Sequence, residues 1–310
     1  MFDKKQAVTG AFGFTGGYIA RQLLEKGQKV VTLTNSPQRN SPLQGRVEVR
    51  PLSFDDVPRL AESLRGVEVL YNTYWVRFNH GESTFANAVR QSLALFEAAK
   101  LAGVERVVHI SIANASTDSP FEYYSAKASV DYALKASGLC HAIVRPAALF
   151  GAGGILLNNI AWALRRLPVF AMFGTGKYHM QPVFVEDLAN LMLAQGSLRE
   201  DTDVLALGPE DFMYKDLVAT IGKAIGCNRR VMHLPPQLGY LGAKAIGFLM
   251  RDVFATQEEI GGLMADLLHV PGAAPTCPTR FTDWLAKNAD SLGRSYGNEL
   301  GRRRDKTKRY

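Results

Sequence analysis

The feature that most constrains the fold is a glycine-rich stretch near the start, Thr9-Gly10-Ala11-Phe12-Gly13-Phe14-Thr15-Gly16-Gly17. Gln6-Ala7-Val8-Thr9 before it is short, part apolar and bounded by charge, the pattern of a buried first strand. After it, Ile19, Ala20, Leu23 and Leu24 recur at helical spacing up to Gly27, and residues 30–34 read as a second strand. Strand, glycine turn, helix and strand within about thirty residues is the setting in which such a turn receives a dinucleotide. Gly10 permits the tight turn, Gly13 lets the backbone approach a pyrophosphate, and Gly16 lets helix pack on strand. The first amides of the helix then face the phosphates, where the helix dipole favours negative charge. The spacing of Gly10, Gly13 and Gly16 differs from the common dehydrogenase fingerprint, so the flanking elements carry the argument. A glycine-rich turn that holds nothing is the bland alternative.

The 310 residues are 47% apolar and 21% charged, enough for a large α/β domain or a domain plus a smaller lobe. No apolar run reaches the ~18 residues a membrane helix requires. Met1 to Lys5 enter the first strand with no signal or transit pattern. Cys140, Cys227 and Cys277 are far apart and lack metal-ligand spacing, so they read as reduced cysteines of a cytoplasmic protein. The formal net charge of +7 is concentrated in residues 301–310, which hold six basic residues and one acid. That tail either stays in water or makes a peripheral contact with an anionic membrane. With no interleaved aromatics and no second basic face, nucleic acid is not an expected partner.

Strand patterns at 47–50, 67–72, 106–111 and 141–146 alternate with helical ones at 57–64, 83–102 and 126–136. In the long helix Phe85, Val89, Leu93, Phe96 and Ala99 mark one apolar face. Such alternation predicts an α/β fold, a doubly wound Rossmann-type parallel sheet with helices on both faces. Right-handed crossovers then bring Gly10, Asn35, Asn72, Ser111 and Arg145 to one edge of the sheet. Beyond 147 the pattern loosens, with helices at 156–167 and 212–226 and strands near 183 and 204–207. The expected division is a dinucleotide-binding core over 1–150, to which 180–208 returns, and a smaller, mainly helical substrate or lid lobe over 151–179 and 209–300. Residues 301–310 form the basic tail. The apolar stretch 238–250 fits a lid or lobe-packing helix better than a membrane face, because its charge asymmetry is weak.

Tyr123 and Lys127 stand four residues apart at a helix start, hence on one helical face. An ammonium beside a phenol favours the phenolate and lowers its pKa from ~10, which makes the tyrosine a usable acid/base. With this pair the chain resembles the short-chain dehydrogenase/reductase superfamily, in its extended or atypical, NAD(P)-dependent epimerase/dehydratase-like branch. The residues that carry the likeness are the glycine turn, Tyr123/Lys127, Arg145-Pro146-Ala147-Ala148-Leu149-Phe150-Gly151, and Gln181-Pro182-Val183-Phe184-Val185-Glu186-Asp187. The likeness covers residues 1 to about 225. Through His109-Ile110-Ser111-Ile112-Ala113-Asn114-Ala115 the chain looks most like relatives of the nucleotide-binding accessory subunit of respiratory complex I.

The resemblance implies that Tyr123 is the acid/base and that Lys127 holds the nicotinamide ribose while tuning Tyr123. It places the amides of Phe12 and Phe14 on the pyrophosphate, Thr73 and Tyr74 along the cofactor, and Pro146 in a turn beneath the nicotinamide. Two departures matter. Ile112 stands where active members carry a serine or threonine, and neither Ser116 nor Ser125 is required by spacing to replace it. A missing hydroxyl of this kind costs about 3 kcal/mol, or ~100-fold in rate. The second strand ends in Asn35 with no acid, and Asn35 and Arg39 tilt the cofactor choice to NADP(H), with NAD(H) the other candidate. Arg39 pointing into water is the bland reading. Ser53, followed by Phe54, stands where relatives place an aspartate that meets adenine.

Arg77, His80, Asn158 and Asn159 are candidate substrate contacts, while Trp75, Phe78 and Trp162 read as packing residues and His109 as structural. No constellation suggests a metal, a serine hydrolase or a cysteine nucleophile. Two functions fit. One is an NAD(P)-dependent oxidoreductase or epimerase acting on a carbonyl or carbinol centre of a small-molecule substrate. The other is a catalytically weak NAD(P)H-binding sensor or assembly/accessory protein.

Overall fold

The computed structural model describes residues 4–305 and Thr307, divided into two compact units. The first takes the described residues of 1–146, 188–205 and 306–310, and the second takes 147–187 and 206–305. The first unit opens with β1 (Lys5–Thr9), α1 (Phe14–Glu25), β2 (Val30–Thr34), β3 (Glu48–Pro51), α2 (Val57–Ser63) and β4 (Val67–Asn72). It continues with α3 (Phe85–Leu101), β5 (Arg106–Ile110), α4 (Glu122–Ala136) and β6 (His141–Pro146). The second unit begins with β7 (Ala148–Phe150), α5 (Leu156–Arg166), β8 (Val169–Phe173), β9 (His179–Met180) and β10 (Pro182–Phe184). The chain then returns to the first unit through α6 (Val185–Gly196) and β11 (Thr202–Ala206). Last come β12 (Phe212–Met213), α7 (Tyr214–Ala224), β13 (Arg230–Leu234), α8 (Pro236–Met250), α9 (Gln257–Met264), α10 (Phe281–Asn288) and α11 (Glu299–Arg304).

The sheet of the first unit runs β11-β6-β5-β4-β1-β2-β3, a parallel sheet flanked by helices. Ala7 and Val8 of β1 are fully buried, as a strand covered on both faces requires. Ala7, Val31, Leu33, Leu70, Val107 and Ile143 of the strands pack with Leu60, Leu95 and Leu134 of the helices. Strand order proceeds outward from β1 in one direction and from β4 in the other. Such a reversal leaves a crevice beyond the carboxyl ends of these two strands, where open α/β sheets bind their ligands.

Three sequence expectations shift. Leu93 of α3 is 43% exposed, and the buried face runs Phe85, Ala88, Ser92, Leu95, Phe96 and Ala99. Small Ala88 and Ser92 let α3 approach the sheet, and the Ser92 hydroxyl is satisfied by the Ala88 carbonyl at 2.8 Å. Size, not hydrophobicity alone, selected the buried side. Helix α4 starts at Glu122, so Tyr123 and Lys127 both lie inside it. Residues 212–213, expected to be helical, pair antiparallel with β9 before α7 begins.

In the second unit α5, α7 and α10 pack around Phe150, Leu164, Leu217, Ile221 and Phe281. Three two-stranded ladders, β10 with β7, β12 with β9 and β13 with β8, accompany the helices. Of the expected basic tail, Arg302 to Arg304 are in α11, and the Thr307 carbonyl accepts from the Asn40 amide at 2.8 Å. Lys306, Lys308, Arg309 and Tyr310 lie outside the described residues. No helix among the described residues is long and apolar enough to cross a membrane.

Candidate dinucleotide-binding site

The β1–α1 corner is shaped by its glycines. Gly10 has φ +67°, a left-handed conformation that turns the chain out of β1. A Cβ on Gly16 would lie 2.4 Å from the Gly10 carbonyl oxygen, and one on Gly13 would lie 3.1 Å from the same atom. The helix start is therefore pressed onto the turn at a distance only glycine permits. The Ala11 amide donates to Thr32 Oγ1 at 3.0 Å, pinning the corner to β2. Gly13 is the N-cap of α1 and no side chain caps it. Phe12 is buried, whereas Gly10, Gly13, Phe14 and Thr15 remain partly accessible. An uncapped helix start behind close-packed glycines suits a diphosphate, so the residues present fit a dinucleotide.

At the switch point β1 and β4 are tied by side chains. The Thr73 amide donates to Thr9 Oγ1 at 2.7 Å, and Thr73 Oγ1 donates to the Thr9 carbonyl at 2.6 Å. Tyr74 hydrogen-bonds to Gln91, and its ring packs 4.6 Å from that of Phe54, which belongs to the core. Ser53 closes a turn by accepting from the Asp56 amide at 3.3 Å. Asn35 is exposed just past β2, whereas Arg39 is buried and does not extend into water. Pro146 is buried at the end of β6, where its carbonyl accepts from the Ala113 amide at 2.9 Å.

Along α4, Tyr123, Lys127 and Asp131 follow one another at four-residue steps. The Tyr123 ring meets Trp75, Phe85 and Tyr124 edge-on, with centroids 5.5 to 6.2 Å away. Lys127 is buried, donates from Nζ to the Ile110 carbonyl at 2.7 Å, and lies 4.3 Å from the centroid of the Trp75 ring. Burial pushes its ammonium down to about 7, against the pull of Asp131. The Ser111 hydroxyl donates to Asp131 Oδ2 at 2.6 Å, and Arg145 Nη1 reaches the same carboxylate at 2.8 Å. Burial raises the Asp131 pKa, and Arg145 with Ser111 opposes the rise. Asn72 joins Thr9 on one side and His109 Nδ1, at 3.0 Å, on the other. Burial first, then Lys127 and Arg145, keep His109 neutral, with its Nε2 3.7 Å from Asp131 Oδ1.

The structure thus places Gly10, Gly13, Gly16 and Thr73 around β1, and Tyr123 with Lys127 at the end of β5. Asn72, expected at this sheet edge, is joined by two residues that sequence reasoning did not single out, buried Asp131 and exposed Asp203. Asp203 clasps Arg145 at 2.6 and 3.0 Å and accepts from Lys135 at 2.7 Å. The four-residue step from Lys127 to Asp131 was a readable signal; the long-range partner Asp203 had none. Ile112 is buried, as its apolar side chain demands, and Ser111 is committed to Asp131. Ser125 bonds back to the Glu122 carbonyl at 3.3 Å, and Ser116 is exposed in a turn.

The candidate substrate contacts fare differently. Arg77 is half-buried and His80 is exposed in a turn with Ser83. Asn158 and Asn159 both hold the loop 293–297, through Gly293, Ser295 and Gly297. Trp162 packs on Tyr296 with centroids 5.1 Å apart. In the second unit His179, Asp211 and His269 converge, with Asp211 Oδ2 2.8 Å from His179 Nδ1 and 3.3 Å from His269 Nε2. A His–carboxylate–His hydrogen-bonded trio accounts for this geometry. A hollow of about 320 Å³ in the first unit opens at the amino ends of β1 and β4, beside Gln6, Lys26, Glu68 and Arg199, away from the switch point. Its place argues against a role in dinucleotide binding.

Comparisons with known proteins agree with the corner. Residues 10–154 match a family model described as NAD(P)H-binding. A mitochondrial NADH dehydrogenase [ubiquinone] 1 alpha subcomplex subunit 9 of Arabidopsis thaliana is 26% identical over 262 residues, 79% of this chain. The chain spans 64% of that protein's length. A ceramide reductase of Caulobacter vibrioides is 27% identical over 292 residues, 89% of each chain. Among solved structures, an NADPH-dependent quinone oxidoreductase from Escherichia coli, complexed with NADPH, superposes with a TM-score of 0.72 at 21% identity, over 92% of this chain and 99% of that one. That likeness establishes the fold. The glycine cradle and the NAD(P)H-binding match over residues 10–154 support a nicotinamide dinucleotide as the cofactor class. The chain is similar to the extended short-chain dehydrogenase/reductase superfamily, with an NAD(P)H-binding match over residues 10–154 and an epimerase-like fold.

Proposed function

We propose that the chain is an NAD(P)-dependent oxidoreductase acting on a carbonyl or carbinol centre. The observation that carries this reading is the placement of Tyr123 and Lys127 one turn apart on α4, with Lys127 anchored to the last residue of β5. A bound nicotinamide supplies or accepts the hydride. Tyr123 exchanges the proton with the substrate oxygen. Lys127 titrates near neutrality, and the negative charge of a dinucleotide favours its protonated form, which in turn favours the Tyr123 phenolate. With Ser111 committed to Asp131 and Ile112 buried, Tyr123 alone meets the substrate oxygen, so the expected rate is ~100-fold below that of a site with a second donor. The Caulobacter relative, matched over 89% of both chains and named a reductase, favours reduction over epimerisation. The NADP(H) preference rests on Asn35, which offers no carboxylate to a ribose hydroxyl; buried Arg39 adds less than an exposed arginine would.

The second reading is an accessory or sensing protein that holds the dinucleotide without turning it over. The Ser111–Asp131 bond favours it, and so does the relative named as a subunit of a respiratory complex. One experiment separates the two: calorimetry with NADPH and NADH, alongside NADPH oxidation against a broad carbonyl panel. Tyr123→Phe is expected to bind NADPH within about threefold of the parent and to lose about a hundredfold or more of turnover. Equal turnover by the variant removes Tyr123 from the chemistry. Tight NADPH binding with no oxidation of any carbonyl selects the accessory reading, and tighter NADH binding overturns the NADP(H) preference.

A further inference from the structure

Helix α8 is packed inside out relative to an ordinary surface helix. Its buried positions are Gly239, Ala243 and Gly247. A Cβ on Gly239 would lie 2.4 Å from the Phe173 ring, and one on Gly247 would lie 2.7 Å from the Asp252 carbonyl oxygen. The large apolar side chains face the other way. Leu238 is 53% exposed, Leu241 60%, Phe248 89% and Leu249 79%. At 100° per residue these four, with Ala245 among them, fall within an arc of about 100°. Val231 and Met232 of β13, which precedes the helix, are exposed too. The apolar face of α8, four large exposed side chains on one side of a helix, is the mark of an interaction surface rather than of scattered surface leucines.

The charges around it choose the occupant. Between Asp216 and Asp252 the chain has no acidic residue and five basic ones, Lys223, Arg229, Arg230, Lys244 and Arg251. Arg230, Lys244 and Arg251 are exposed, flanking the exposed residues of β13 and α8. Apolar side chains bordered by lysine and arginine, on a helix of 15 residues too short to span, match the in-plane helices that bury one face at the headgroup boundary. Anionic headgroups supply the complementary charge. We propose that the outward face of α8 in the second unit docks on the surface of an anionic lipid bilayer. Sequence reasoning favoured a lobe-packing or lid helix; α8 packs through Gly239, Ala243 and Gly247, which leaves its large apolar residues on the other side. The proposal stands apart from the Tyr123/Lys127 reading, because it involves neither residue nor the cofactor.

The test is co-sedimentation of the full chain with vesicles of phosphatidylcholine alone and of equal parts phosphatidylcholine and phosphatidylglycerol. The parent is expected to pellet with the anionic vesicles and to be released by added salt in part only, the apolar contacts persisting. Phe248→Asp and Leu241→Asp, both at exposed positions, are expected to weaken binding by about tenfold or more, and Lys244→Glu by less. Circular dichroism and NADPH affinity, unchanged in each variant, exclude misfolding. A parent that stays in the supernatant with anionic vesicles overturns the proposal, as does Phe248→Asp pelleting like the parent. Sedimentation equilibrium covers the remaining occupant: a dimer lost in Phe248→Asp, with no vesicle binding by the parent, assigns the face to a second copy of the chain and overturns the bilayer.

Discussion

The β1–α1 corner and the α4–β5 flank share one sheet edge but are built from different materials. The corner is made of backbone: Gly10 turns the chain, Gly16 accepts the helix, and no side chain caps it. The flank is made of side chains that bind one another: Lys127 to the Ile110 carbonyl, Ser111 and Arg145 to Asp131, and Asn72 to His109. At the corner the Ala11 amide is taken by Thr32 and the Gly13 amide by the Gly10 carbonyl, while the start of α1 carries no side-chain cap that would compete with a ligand. A side-chain site offers a ligand only what its own network leaves over. The difference teaches that retention of Tyr123 and Lys127 is weaker support for turnover than the glycines are for binding.

The comparison is most easily broken at Gly16. An added Cβ would sit 2.4 Å from the Gly10 oxygen and 2.8 Å from its carbonyl carbon, both backbone atoms that cannot swing aside. Gly16→Ala must push α1 off the turn. The expected outcome is a loss of about 2 kcal/mol of stability in urea titration, and a fall in NADPH affinity by calorimetry of about a hundredfold. Near-parental affinity in a folded Gly16→Ala protein would mean that the corner is not where the dinucleotide is caught.

This contrast also explains what could be read in advance. The corner was legible because each of its requirements is a local one, expressed by glycine at a fixed offset from a strand and a helix. The alternation of strands and helices was legible for the same reason, through side-chain period. The buried face of α3 was misread because Ala88 and Ser92, small rather than strongly apolar, face the core while Leu93 faces water. Commitment of Ser111 to Asp131 was not legible, since it depends on where β5 and α4 meet, 20 residues apart in the chain. Neither was the outward face of α8. Composition marked that helix as apolar, but only contact with Phe173 decides that its glycines turn inward.

A smaller and graded effect tests the flank. Burial holds Lys127 at about 7 in the folded chain, well below the ~10.4 of an exposed lysine. Between those values the unfolded chain binds a proton that the folded one does not. Protonation therefore favours unfolding there, and stability climbs as pH rises through the window, by at most about 1.4 kcal/mol per pH unit. Lys127→Met removes the titrating group. The difference between parent and variant, followed by urea unfolding from pH 7 to pH 9, should grow in favour of the parent. A difference independent of pH would mean that Lys127 keeps its charge inside the fold, a state that strengthens the case for a tuned Tyr123.

The smallest effect is expected at Gly10, and it separates two ways in which a glycine serves the corner. Gly10 has φ +67°, but no heavy atom lies within 4 Å of where its Cβ would be. Gly10→Ala therefore pays for a left-handed backbone, about 1 kcal/mol, with no collision. Gly10→Asn should cost less, since asparagine tolerates that region through its own side-chain hydrogen bond. NADPH affinity in both should stay within about threefold of the parent. If Gly10→Ala proves as damaging to binding as Gly16→Ala, the corner depends on freedom to change its conformation rather than on close contact between helix and turn. The catch at the diphosphate would then be an induced fit, and the rigid cradle described for β1 and α1 would be only its resting form.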